Sequence, residues 1–163
     1  MSIRRAAAAL GAVSLGLVAL TACEKPTPLA TVTVGTKTVT TEATAKCYAK
    51  GKKLPSAIFI ACLGATPEHT LKIKPGEKVR VGVDPSIGDK GWLIASGVSQ
   101  KTDVLKGETY WTISESAGLF TAHDPQTGSS IPLKNATLNI VGSPDATAEN
   151  AFGVWQFKLE KAA

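Results

Sequence analysis

The side chains best suited to chemistry in this 163-residue chain are few: two histidines, three cysteines and a scatter of serines and carboxylates. Each histidine has a carboxylate beside it, His69 next to Glu68 and His123 next to Asp124. Two imidazoles joined by a thiolate or thioether would suit copper, but the one methionine is Met1. His69 and His123 therefore stand as candidate ligands of a two-histidine site, the basis of a metal-handling alternative. A hydrolase alternative needs His123 to meet a serine or carboxylate. No serine sits in a G-x-S-x-G elbow. Asp124 follows His123 directly, so it is poorly placed to reach the far ring nitrogen as an orienting carboxylate must. Asp84, Asp89 and Asp124 match no calcium-loop spacing. These groups predict no catalytic residue, no metal and no cofactor, and leave His123 as a contact position for a ligand or partner.

The first cysteine has a different context. Arg4 and Arg5 precede an apolar stretch from Ala6 to Leu20, and Ala19-Leu20-Thr21-Ala22-Cys23 closes it with small residues before a thiol. A positive start, an apolar middle and a small-residue cleavage site are the three parts of a secretory signal. The cysteine makes it a lipoprotein cleavage box. Residues 1–22 are expected to be removed, leaving Cys23 to carry the lipid, with several acyl chains each contributing about 0.8 kcal/mol per buried methylene. An uncleaved spanning helix is the rival reading, but the stretch from Ala6 to Ala22 is at the lower limit of the roughly 17–25 residues needed, and Gly11 and Gly16 weaken it.

With Cys23 assigned to lipid, Cys47 and Cys62 remain as an even pair in a chain bound for an oxidising compartment, which predicts a disulfide. Closing such a loop stabilises a fold by about 3 kcal/mol on the chain-entropy model. A thiolate metal pair would bring closer spacing or a nearby histidine, and fourteen residues without His lie between these cysteines.

The formal charge of +5 falls to +3 when Arg4 and Arg5 leave with the signal, since residues 1–22 hold no carboxylate. The lysines (Lys25, Lys37, Lys46, Lys50, Lys72, Lys90, Lys101, Lys134, Lys158) read as scattered over a solvated surface rather than stacked on one face. Nucleic acid is not an expected partner, because it requires a concentrated basic footprint. The expected partners are the membrane, through lipid on Cys23, and an envelope protein or polymer.

The elements that must position these groups follow from alternation and turn residues. Residues 23–28, with two prolines, form a short tether. Val32 and Val34 alternate with threonines, Gly35-Thr36-Lys37 interrupts, and Thr38-Val39-Thr40 resumes, predicting two strands and a turn. Leu71 and Ile73, then Pro75-Gly76, then Val79, Val81 and Val83 read as the clearest hairpin. Further strands are expected at 92–95, 109–114, 116–123, 137–141 and 153–159. Residues 46–64 stay open between a helix begun near Pro55 and a buried strand at Ile58-Phe59-Ile60, because a run this short does not separate the two periods. Short strands between turn signals predict an all-β chain, a single-domain immunoglobulin-like β-sandwich over residues 29–163. Both cysteines precede every tryptophan, so the antibody-type core is excluded. Alternation places Trp111 with Ile113, and Trp155 with Phe157, in the core. Trp92, after a glycine-bounded loop, is expected to be partly exposed and to contact a ligand or partner.

The run Lys25-Pro26-Thr27-Pro28-Leu29-Ala30-Thr31-Val32-Thr33-Val34-Gly35, then Cys47-Tyr48 with Gly51-Lys52, Val83-Asp84-Pro85 leading to Gly91-Trp92, and Gly153-Val154-Trp155-Gln156-Phe157-Lys158-Leu159 resemble a family of actinobacterial lipoproteins catalogued as a domain of unknown function. The resemblance covers most of the mature chain and rests on strands and turns. It implies a lipid-anchored envelope protein with a conventional disulfide, and it brings no activity. The function expected is that of a membrane-anchored, non-catalytic binding or scaffold module on the extracytoplasmic face of the cell membrane.

Overall fold

The computed structural model describes residues 27–114, 116–124 and 126–162, with only the backbone given at Ala45 and His123. The signal expected at 1–22, Cys23 and most of the tether lie outside the described residues. Among those described the chain is mostly β, with eleven strands and two helices. Among the described residues no helix is long and apolar enough to cross a membrane.

Strands β1 (Leu29–Val34) and β2 (Lys37–Glu42) pair as the expected hairpin, and Gly35 supplies the positive φ of its turn. Strands β3 (Thr70–Ile73) and β4 (Val79–Val83) follow. Next come β5 (Trp92–Ser96), β6 (Ser99–Gln100) and β7 (Tyr110–Ile113). The last four are β8 (Thr121–His123), β9 (Ser130–Pro132), β10 (Asn135–Gly142) and β11 (Gly153–Lys161). One sheet has the order β2-β1-β4-β7, a second β3-β11-β10-β5-β6, and β8 with β9 makes a small third.

The expected hairpin across Pro75-Gly76 does not form. β4 pairs with β1 and β7, whereas β3 joins the other sheet, parallel to β11. Alternation reported the inward faces correctly, since Leu71 and Ile73 share a core with Val79, Val81 and Val83. Those residues meet across the interior instead of side by side, which alternation alone does not distinguish. That core draws inward side chains from both larger sheets, including Val32, Ile94, Leu138, Ile140, Trp155 and Phe157. Each such side chain contributes roughly 1.5–3 kcal/mol by leaving water.

The open segment is a helix, α1 (Ser56–Leu63), with Pro55 just before it and Gly64 just after. It lies over the face of the five-stranded sheet that points away from the main core, where Phe59 and Leu63 touch Leu93, Ala95, Val141 and Val154. Cys47 and Cys62 are joined, with Cα atoms 5.8 Å apart, tying a short 3₁₀ turn at Ala45–Cys47 to the end of α1. The bond therefore sits outside the main core. A single turn, α2 (Pro85–Gly88), carries the chain from β4 toward β5.

Candidate functional site

The predicted site residues fall in separate places. His69 precedes β3 and is half-buried; its carbonyl accepts the Lys158 N–H at 2.8 Å. It lines a cavity of about 350 Å³ with Glu42, Glu68 and Gln156, among others. His123 lies in β8 opposite Ser130, a different element from any that lines the His69 cavity. Among the described residues no group of three or more His, Cys, Asp or Glu side chains is placed to hold a metal ion.

Asp124, which the sequence offered as a partner for His123, is committed locally. Its Oδ1 accepts the N–H of Gln126 at 2.8 Å and of Thr127 at 3.3 Å, closing its own turn. The bond from Gln126, then that from Thr127, holds the Asp124 carboxyl below its ordinary range.

Trp92 is not a surface aromatic. It is 0% exposed, and its indole N–H donates to the Glu108 carbonyl at 2.6 Å. The glycine-bounded loop before it is not an open mouth: Gly91 bonds through its carbonyl to the Ser143 N–H at 3.0 Å, and Trp92 exchanges two backbone bonds with Leu105. β10 flanks Trp92 on one side and Leu105 bridges to it on the other, and the Trp92 side chain joins the main core. The expectation of a contact residue at Trp92 is thus corrected to a core anchor.

The aromatics that do face solvent are Tyr110 (52% exposed) and Trp111 (40%), both on β7. Trp111 stands opposite Val81 and Tyr110 opposite Gly82. The core position expected for Trp111 is therefore corrected: it stands opposite the buried Val81 but is itself outside the core. β7 is the last strand of its sheet, so no further strand flanks the indole, while Ile113 does pack against the core. Sequence reasoning missed this because an edge strand and an inner strand share the same period.

A second surface was also missed. α1 reads Ser-Ala-Ile-Phe-Ile-Ala-Cys-Leu, apolar on every side, and an eight-residue helix lying on a sheet buries one side only. Cys62 is buried, Ala57 and Ala61 are exposed, and Ile58 and Ile60 stand 36% and 67% exposed. The absence of any charged or amide residue in that run was the available signal. Near the loop that leads into α1, Lys53, Lys90 and Lys106 line a cavity of about 320 Å³ with Asp89 and Phe152, the Lys90 Nζ lying 5.3 Å from the Phe152 ring centroid.

Comparison of the chain with protein-family models, with curated proteins and with solved structures finds no match.

Proposed function

We propose that this chain is an extracytoplasmic lipoprotein, held to the cell membrane by lipid on Cys23 and presenting an immunoglobulin-like β-sandwich that serves as a non-catalytic binding or scaffold module. The joined pair Cys47 and Cys62 carries the reading, because such a bond persists in oxidising compartments and is rare in a reducing cytosol. It agrees with the signal and cleavage box ahead of it in the chain. The shared core of the two larger sheets supports the sandwich architecture. Tyr110 and Trp111 on an open sheet edge support a binding role, since exposed aromatics on an edge strand suit partner contact.

The test is the intact mass of protein purified from the envelope of its producing cell. The expected result is a chain beginning at Cys23 with diacylglyceryl and acyl additions; an unmodified amino terminus with three reduced thiols would refute the reading. For the binding role, a photocrosslinking residue at position 111 is expected to form a discrete adduct that one at Thr36 does not. Equal labelling at both positions counts against a partner at β7.

A further inference from the structure

The lysines are not evenly spread. Between Ala43 and Pro67 the chain holds Lys46, Lys50, Lys52 and Lys53 and no carboxylate, while the remainder of the mature chain holds twelve basic and thirteen acidic residues. The whole positive excess of the mature protein therefore belongs to the segment that also forms α1. The disulfide closes residues 47–62 into one loop, so Lys50, Lys52, Lys53 and the exposed face of α1 are held in a single covalent unit, with Lys46 immediately before its first cysteine. Lys46, Lys52 and Lys53 are exposed, as are Ala57, Ile58, Ile60 and Ala61.

We propose that the exposed face of α1, together with Lys46, Lys52 and Lys53, is a membrane-contact patch that seats the domain on an anionic phospholipid surface. Apolar side chains beside a cationic cluster are the composition of an interfacial helix, whose apolar face enters the headgroup boundary while the cations meet lipid phosphates. The position of the tether argues for a bilayer as the occupant, a step that rests on the lipoprotein reading. The Pro28 carbonyl accepts the Trp155 indole N–H at 2.8 Å, and the Trp155 ring lies 6.0 Å from that of Tyr48, the neighbour of Cys47. Cys23 is five peptide units from Pro28, a reach of at most about 18 Å. A lipid on Cys23 thus keeps the Tyr48 and Cys47 corner of the fold close to the bilayer, and α1 is fastened to that corner through Cys62.

The experiment is hydrogen exchange with mass spectrometry on the full chain, in buffer, with phosphatidylcholine vesicles and with phosphatidylglycerol vesicles. Amides of residues 56–64 should exchange several-fold more slowly on phosphatidylglycerol than in buffer, with a smaller effect on phosphatidylcholine. Ile60→Glu should remove the slowing, and Lys52→Glu with Lys53→Glu should weaken vesicle binding by at least about fivefold per lysine. These side chains are exposed, so the variants should melt like the parent, and a matched melt separates lost docking from lost folding. Unchanged exchange at 56–64 on phosphatidylglycerol overturns the proposal, as does equal slowing on both lipids. Slowing in buffer that grows with protein concentration assigns the face to a second copy and overturns it too. The readout is local to α1 and does not need Cys23 to be acylated; the mass of the amino-terminal peptide reports that question separately.

Discussion

Gln156 on β11 donates its Nε2–H to Oδ1 of Asn139 on β10 at 2.9 Å, beneath the end of α1. Asn139 is 0% exposed and donates from Nδ2 to the Gly97 carbonyl at 2.7 Å and the Leu63 carbonyl at 3.4 Å. Gln156 adds contacts to the Leu63 and Ala65 carbonyls at 3.4 Å. The last carbonyls of a helix have no partner within it, and here two sheet side chains supply one. The pair fixes where α1 stops and holds it on the sheet.

Asn139→Leu should therefore cost about 1–3 kcal/mol, the penalty of leaving buried polar groups unmatched. Urea unfolding would register it as a lower midpoint. Hydrogen exchange should show α1 loosening more than β1 or β4. Uniform loosening of both sheets would argue against a local role for the pair.

Reducing the Cys47 to Cys62 bond, or replacing both residues with serine, should cost about 3 kcal/mol, the chain-entropy value for a loop of this size. A thermal melt with and without reductant measures it. The effect should fall first on α1, because Cys47 and Cys62 belong to the smaller cluster with Leu54 and Val154 and not to the main core.

Trp92→Ala and Trp111→Ala should differ widely. Trp92 is enclosed and hydrogen-bonded to Glu108, so its truncation should cost about 3–5 kcal/mol. Trp111 keeps 40% of its surface in water, and its loss should cost about 1 kcal/mol or less. Acrylamide should quench the emission of the parent protein only in part, and Trp111→Phe should abolish the accessible fraction. Strong quenching left in Trp111→Phe would mean that Trp92 or Trp155 reaches solvent.

Acid should open the 124–128 turn before the sheets. The bond from the Gln126 N–H, then that from Thr127, favours the charged form of Asp124, so its folded pKa lies below its ordinary 3.8. Glu160 is lowered too, first by its hydrogen bond from Lys158 and then by that lysine's charge. A depressed carboxyl contributes stability that is fully present above the unfolded pKa and is lost as pH falls through the folded value. Amide shifts of Gln126 and Thr127 should accordingly titrate below pH 3.8, and Asp124→Asn should erase that transition. A midpoint above 3.8 would contradict the turn geometry.

Much of this architecture is legible in the residues themselves. The alternation of Val32 and Val34, of Val79 to Val83 and of Trp155 to Leu159 names the inward faces correctly, because a pleated strand sends every second side chain the same way. The pairing of Cys47 with Cys62 follows from their number and expected compartment. Partnership between strands does not follow from period. Leu71 and Ile73 look the same whether β3 pairs with β4 or faces it across the core, and only the completed sheets put β3 beside β11. Surroundings are equally silent in sequence: Trp92 is enclosed because Leu105 bridges to it and its side chain joins the main core, and Trp111 is open because β7 is an edge. Neighbours distant along the chain decide exposure, and no local pattern encodes them. Sequence alone determined which atoms turn inward and which cysteines meet. Tertiary packing alone decided which aromatics reach water and that three lysines and an apolar helix share one disulfide-closed loop at the surface.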